Sequence, residues 1–154
     1  MGCSWQSWAK FGHAFTDPDN LVVGPLVFVG GNQTSSVATI RANGGQKYPV
    51  LVKVGHAVTV QLSREFRSTA GLAYGPLPDG QVRVDDAHDT ITFLACPEDE
   101  PNTSSAGGPV TFWSGFVLTR FPDCIPLDVY VDGEPSPRYA AVTVGPDHCK
   151  ITRA

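Results

Sequence analysis

The stretch Gly108–Cys149, GPVTFWSGFVLTRFPDCIPLDVYVDGEPSPRYAAVTVGPDHC, decides the fold of this chain. Three apolar, β-branched and aromatic runs within it predict strands, because Pro and Gly residues separate them. Within the first run, Ser114 and Gly115 lie among large apolar neighbours, which favours a β-bulge at this point. The three predicted strands are Val110–Thr119, Leu127–Val131 and Tyr139–Val144.

The same pattern extends upstream. The residues Tyr48–Val54 and Ala57–Leu62 alternate with a period of two, which is typical of half-buried antiparallel strands. Gly55 and His56 between them predict either a tight hairpin or a bulge in one long bent strand. The other predicted strands are Leu21–Val29 (bent at Gly24-Pro25), Val37–Ala42 (a short strand or turn), Ala70–Tyr74, Gln81–Val84 and Thr90–Ala95.

Many short strands, little helix and frequent turns predict an all-β fold, namely an antiparallel β-sandwich of immunoglobulin-like or Greek-key type. A small jelly roll is the alternative. The length of 154 residues predicts a single domain over 1–154 with an N-terminal arm over 1–20. Helix-like spacing over residues 3–16 predicts a short helix or an ordered arm. We expect Trp5 and Trp8 to pack against the sandwich, the alternative being that they form a binding shelf.

Composition excludes several classes of function. The net charge is −4 and the basic residues are scattered, so nucleic acid is not an expected partner. No apolar stretch approaches the roughly 20 residues that a membrane-spanning helix needs. The sequence also lacks a G-x-S-x-G nucleophile motif and a phosphate-binding glycine loop, and it predicts no enzyme.

Four cysteines allow three pairings. No C-x-x-C spacing occurs, and a small chain rich in Gly and Pro favours disulfides and a location outside the cytoplasm. We expect Cys124–Cys149 and Cys3–Cys96, with four free thiols in a cytosolic protein as the alternative. Lipidation of Cys3, as in a bacterial lipoprotein, remains open.

The acidic loop, Asp85-Asp86-Ala87-His88-Asp89, is the candidate metal site, with Asp85, Asp86, His88 and Asp89 as ligands. Several carboxylates in one loop suit a hard cation such as calcium. The spacing is not that of an EF-hand calcium loop, so a solvated loop is the simpler interpretation, and we expect no cofactor.

The candidate binding residues lie in the terminal stretch. We define the arch as VDGEPSPR, residues 131–138, whose two prolines keep the backbone extended. The arch presents charged side chains next to a tyrosine, and these can form either a docking surface or a local ion pair. The candidates are Trp113, Asp132, Glu134, Arg138 and Tyr139.

Several sequence segments of the chain resemble those of a family of secreted or membrane-tethered actinobacterial proteins of unknown function. The segments that carry the resemblance span Cys3 to Cys149 and are DNLVVGPLVFVGG, KYPVLVKVGHAVTVQLS, AGLAYGPLP, TFLACP, GGPVTFWSGFVLTRFPDCIPLDVYVDGEPSPR and the closing VG with its Cys. The resemblance implies an extracellular or cell-surface domain and supports disulfides at Cys96, Cys124 and Cys149. It implies no catalytic residues.

Together these observations predict a disulfide-stabilised binding domain at the cell envelope, with a protein, an envelope polymer or a second copy as partner. The alternative from another class is a metal-dependent or hydrolytic enzyme that uses the Asp85–Asp89 loop.

Overall fold

The computed structural model describes residues 1–75 and 83–149. Within these ranges the chain forms one short α-helix, α1 (Val37–Asn43), and twelve strands. The strands are β1 (Leu21–Val23), β2 (Leu26–Phe28), β3 (Gly45–Lys47), β4 (Val50–Lys53), β5 (Ala57–Leu62), β6 (Ala70–Tyr74), β7 (Thr90–Leu94), β8 (Ser104–Ser105), β9 (Pro109–Trp113), β10 (Gly115–Thr119), β11 (Asp123–Val131) and β12 (Arg138–Val144). The first two residues of the strand predicted at Gln81–Val84 lie outside the described residues, and Val84 itself begins a 3-10 turn.

The front layer of the sandwich is one bent sheet in two halves. Its halves have the orders β1-β2-β4-β9-β8 and β3-β10-β6. Lys47 lies opposite Phe116 and Val50 lies opposite Trp113, so the antiparallel register is the same on both sides of the break. The ladder is interrupted at Ser114, but two residues separate these pairs on each strand, so no extra residue is inserted and the predicted bulge is absent.

The back layer has the order β12-β11-β5-β7, and all its pairs are antiparallel. An immunoglobulin fold has strands A, B, E and D in one sheet and C, F and G in the other. Here β2, β3–β4, β9–β10 and β6 take the A, B, E and D positions, and β5, β11 and β12 take C, F and G. β7 adds an edge strand beside the C position. The immunoglobulin-like prediction is therefore confirmed over the jelly-roll alternative.

Two further local predictions are wrong. β4 and β5 do not form a hairpin, because they belong to opposite layers and Gly55, at φ +80°, carries the chain between them. The stretch predicted as a strand or turn at Val37–Ala42 is α1. The Oγ atom of Ser36 accepts the amide of Thr39 at the start of the helix, and Gly44 ends it in the left-handed conformation.

Aromatic side chains fill the space between the layers. The Phe93 ring lies 5.2 Å from Trp113 and 5.4 Å from Tyr74, centroid to centroid. The Tyr48 hydroxyl donates to the carbonyl of Thr143 in β12, and the Tyr74 hydroxyl donates to the carbonyl of Tyr48 at 2.6 Å. The hydrogen bond of Tyr48 therefore joins the front layer to the back layer, and that of Tyr74 fixes the Tyr48 backbone within the front layer.

The N-terminal segment forms a third, partial layer. Only Cys3–Trp5 is helical, as one 3-10 turn, so the longer helix predicted over 3–16 is absent and the arm alternative holds. Ser7 bridges to Phe112 of β9 and Lys10 to Ser105 of β8, so the arm pairs through its backbone along this edge of the front sheet before it crosses onto the outer face. Phe11 meets Phe112 edge to face at 4.9 Å. The arm thus covers a second, smaller apolar cluster that includes Val27, Leu51, Val110 and Phe112.

Two disulfides join distant parts of the chain. Cys3 pairs with Cys96 and Cys124 pairs with Cys149, with Cα–Cα distances of 4.8 and 5.4 Å. Both predicted pairings are confirmed. Among the described residues no helix has the length and apolar character that crossing a membrane demands.

Candidate binding surface

Trp113 is the predicted binding residue that the structure contradicts. Its side chain is 0% exposed and packs against Phe93. The indole Nε1 donates to the carbonyl of Gly2 at 3.0 Å, which satisfies the polar atom of this buried ring. The alternation of the strand turns Trp113 and Val117 inward, so Trp113 is a core residue that cannot reach a partner.

The arch forms the connection between β11 and β12, and its charges pair with each other. The guanidinium of Arg138 donates two hydrogen bonds of 2.8 Å to the carboxylate of Glu134. This hydrogen bonding lowers the pKa of Glu134 and raises that of Arg138. Asp132 approaches Nδ1 of His56 at 3.0 Å. Of the two predicted alternatives, Glu134 and Arg138 therefore form the local ion pair and not the charged docking surface.

The arch also packs onto the β1–β2 turn. Gly24 has φ +57°, and a Cβ added there would lie 3.4 Å from Cζ of Arg138. The amide of Glu134 donates to the carbonyl of Val131 at 3.1 Å and closes the turn. These contacts hold the arch in one geometry at the end of the back sheet.

Several side chains on the outer face of the back sheet are open to solvent. Residues of β11 alternate, so that Leu127, Val129 and Val131 are buried while the residues between them point outward. The register aligns Tyr130 with Thr59 and Thr92 in one row, and Tyr139 with Asp128, Gln61 and Thr90 in the next. We call this surface the tyrosine face: Thr59, Gln61, Thr90, Thr92, Asp128, Tyr130 and Tyr139.

Two phenols dominate the tyrosine face. Tyr130 is 43% exposed and Tyr139 is 48% exposed. Around them lie hydroxyl and amide groups, and the Oγ1 atoms of Thr59 and Thr92 share a hydrogen bond of 2.7 Å. Asp128 is the one charged residue within this set. Of the predicted binding residues, Tyr139 lies on this face, and Asp132, Glu134 and Arg138 lie in the adjoining arch.

Sequence reasoning missed Tyr130, Asp128, Gln61 and the threonines. The period-two alternation of β11 was a usable signal for Tyr130 and Asp128, since apolar residues flank each of them. No local signal places Thr59 and Thr92 beside Tyr130, because strand register joins residues that are far apart in sequence.

The tyrosine face is open rather than concave with respect to the three clefts formed by described residues. Three clefts of about 380, 600 and 410 Å³ are formed by described residues, and none of them is lined by a residue of the tyrosine face. The 410 Å³ cleft contains His56, Glu98 and Lys53, whose Nζ lies 4.7 Å above the ring of Phe15. The 600 Å³ cleft borders the Cys124–Cys149 disulfide.

The acidic loop is organised by structural contacts. Asp85 forms a 2.5 Å ion pair with Arg120, and the Val84–Asp86 segment is a 3-10 turn. The backbone of His88 exchanges two hydrogen bonds with that of Leu72, at 2.7 and 2.9 Å. Within the described ranges, Asp85, Asp86, His88 and Asp89 do not converge as a group of metal ligands. The arrangement gives the calcium interpretation no support.

The one convergent group of ligand-type residues among those described is Cys3, Cys96 and Glu100. Both cysteines belong to one disulfide, so they offer no thiolate to a metal. The same bond occupies the Sγ atom that lipidation of Cys3 would need. Neither metal binding nor a lipid anchor is therefore compatible with the disulfide-bonded state.

Comparison of the chain with protein-family models, with curated proteins and with solved structures finds no match. The resemblance to secreted actinobacterial proteins therefore stays a prediction, and function must be argued from the surface itself.

Proposed function

We propose that this chain is an extracytoplasmic, disulfide-stabilised binding domain that engages a protein partner through the tyrosine face. The observation that carries the proposal is the contrast between the two sheets. The arm covers part of the outer face of the front sheet and buries Phe112 there. The corresponding face of the back sheet carries Tyr130 and Tyr139 half-exposed.

The chemistry of the face suits a protein surface. Tyrosine offers a rigid apolar ring and a hydrogen-bonding tip, and it is enriched at protein interfaces while most charged residues are depleted. The neighbours of Tyr130 and Tyr139 supply hydroxyl and amide groups that can donate and accept. Asp128 gives the face a single negative charge that can select a complementary basic group.

The shape and size of the face also favour a macromolecule. Small ligands bind in concave sites, and the tyrosine face lines none of the described clefts. Four strands at about 4.8 Å spacing are roughly 19 Å wide, and their five to nine residues at about 3.3 Å each are roughly 17 to 30 Å long. The projected area of roughly 320–570 Å² is a large part of the roughly 800 Å² that each partner buries in a standard interface, and the arch adjoins it.

Disulfides support the proposed location outside the cytoplasm. Two pairs join all four cysteines, and such bonds persist in oxidising compartments. They also hold the arm and the β12 exit, so the sandwich presents its face without a cofactor.

The test is capture of partners from a native envelope extract with purified wild type and with Tyr130→Ala/Tyr139→Ala. Phe121→Ala is the matched control, because Phe121 is 65% exposed and follows β10 in the front sheet. We expect one protein to be retained by wild type and by the control and lost by the double variant. Retention by all three proteins, or by none, would contradict the proposal.

Self-association is the alternative that the same face allows. Sedimentation equilibrium of wild type and of the double variant distinguishes it. If wild type is a dimer and Tyr130→Ala/Tyr139→Ala is a monomer, the partner of the tyrosine face is a second copy of this chain. If both proteins are monomers, the proposed external protein partner is retained.

A further inference from the structure

We infer that the N-terminal arm carries a second binding site, built on Trp5 and Trp8, whose ligand is a neutral polysaccharide. The inference is independent of the tyrosine face. It starts from a prediction that the structure overturns, namely that both tryptophans pack against the sandwich. Trp5 is 56% exposed and Trp8 is 68% exposed, whereas Trp113 is fully buried. We call the segment Ser4–Trp8 with its two indoles the indole platform.

The indole platform is held rigidly, unlike a frayed chain end. The Cys3–Cys96 disulfide fixes the residue just before it to the body. The amide of Trp5 donates to the carbonyl of Gly2, and that of Ser7 donates to the carbonyl of Phe112 at 2.8 Å. Its exposed rings therefore do not result from a lack of anchoring.

A second element clamps the platform from the side. The hydroxyl of Thr103 donates toward Oε1 of Gln6 and the carbonyl of Ser7, both at 2.8 Å. The Oγ atom of Ser104 accepts from the amide of Ala9 at 3.2 Å. A preorganised site loses little conformational entropy on binding, so two indoles fixed in this way can contribute their full contact area.

The charges around the platform exclude two kinds of partner. No charged side chain occurs from Gly2 to Ala9. The bordering charges are Lys10 in the chain and Glu100, whose Oε2 lies 3.3 Å from Sγ of Cys3, and they have opposite signs. Nucleic acids and anionic lipid surfaces require clusters of basic residues, which this platform lacks.

The arrangement of polar and apolar groups favours a sugar. Ser4 is exposed next to Trp5 and offers a hydroxyl group, whereas the half-buried amide of Gln6 already accepts from Thr103 and donates toward Sγ of Cys3. A pyranose has the complementary pattern, with a C–H face for the electron-rich ring and hydroxyl groups at the rim.

The spacing fits an oligomeric ligand. Three residues of extended chain span at most about 11 Å, so both indoles can meet neighbouring units of one polymer chain. Two weak contacts on one polymer reinforce each other through effective concentration. An uncharged structural polysaccharide is the chemical class of ligand whose sugar rings, hydroxyl groups and regular repeat match the two indoles and their spacing.

The experiment is retention of the full chain on insoluble cellulose and on chitin, with affinity electrophoresis in a soluble neutral glucan. The variants are Trp5→Ala, Trp8→Ala and the double substitution, with Phe121→Ala and Tyr130→Ala/Tyr139→Ala as controls. We expect about tenfold weaker binding for each indole removed and unchanged binding for both controls. Trp113 remains in every variant and reports by its fluorescence that the core is intact.

A second readout locates the ligand. Saturating polysaccharide should protect wild-type fluorescence from acrylamide quenching, and it should leave the quenching of Trp5→Ala/Trp8→Ala unchanged. Absence of retention on all of these polysaccharides, or retention that survives the double substitution, would overturn the inference. Binding of neutral phosphatidylcholine vesicles that depends on the same two tryptophans would overturn it as well, in favour of a lipid surface.

Discussion

Removal of the Cys3–Cys96 disulfide by Cys3→Ala/Cys96→Ala should cost this protein a large part of its stability. The bond joins residues 93 apart in sequence, whereas Cys124 and Cys149 are 25 apart. In the chain-entropy model these loops correspond to about 4.7 and about 3.5 kcal/mol. A domain has roughly 5–15 kcal/mol in total, so the first loss is severe.

The assay is urea unfolding at equilibrium, followed by far-UV circular dichroism and by tryptophan fluorescence. With a slope of about 2 kcal/mol per molar urea, the midpoint should fall by about 2.3 M for Cys3→Ala/Cys96→Ala. On the same slope, the midpoint of the comparison variant, Cys124→Ala/Cys149→Ala, should fall by about 1.7 M. Free energies rather than midpoints decide the comparison, because a reduced denatured state is more expanded and raises the slope.

The structure adds a specific consequence for the arm. The indole of Trp113 donates to the carbonyl of Gly2, directly beside Cys3, so release of the arm also leaves a buried N–H without its partner. We therefore expect the loss for Cys3→Ala/Cys96→Ala to be the larger of the two. A smaller loss than for the Cys124–Cys149 pair would refute both the entropic argument and the anchoring role of the arm.

Two further predictions concern the core. Gly115→Ala should destabilise the protein by about 3 kcal/mol in thermal unfolding, because the new Cβ would overlap the Tyr74 ring and lie 2.6 Å from the Ala73 carbonyl. Gly108→Ala is the control and should be neutral, because a Cβ at that position meets no atom within 4 Å. Equal unfolding midpoints for the two variants would contradict the close approach of β10 to β6. Burial raises the pKa of Tyr48 and of Tyr74 above the ordinary value of 10.0, so their neutral forms contribute stability that is complete below the unfolded pKa and lost as pH rises. We therefore expect the free energy of unfolding to decline above about pH 10, and the phenolate absorbance of both residues to appear only with unfolding. Early titration of all four tyrosines in the folded protein would be inconsistent with the buried pair.

The sequence alone indicated most of the strand segments and limited the cysteine pairings to three. Ala70–Tyr74 is bounded as predicted, and the alternation of Leu127, Val129 and Val131 marks a strand with one buried face. These features depend on local chain geometry, since side chains of a strand alternate whatever the strand packs against. Four well-separated cysteines likewise restrict the disulfide connectivity to three alternatives, because each thiol can pair with only one other.

Only the tertiary structure decided which aromatic residues are buried. Trp113 and the pair Trp5 and Trp8 are equally apolar in the sequence, yet the first lies in the core and the other two face solvent. The difference arises because Trp113 points between the layers, while Trp5 and Trp8 belong to the part of the arm that runs along the edge of β9, where both side chains are more than half exposed. Burial depends on which distant element covers a face, and local periodicity contains no information about that element.

The tyrosine face has the same origin. Tyr130, Thr59 and Thr92 belong to three strands, and β5 leaves the front layer at Gly55 instead of returning beside β4. A hairpin at Gly55-His56 would have placed Thr59 in the front layer, away from Tyr130. Long-range strand pairing, which no short segment encodes by itself, therefore created both the surface that we propose as the binding site and the open shape that favours a protein partner.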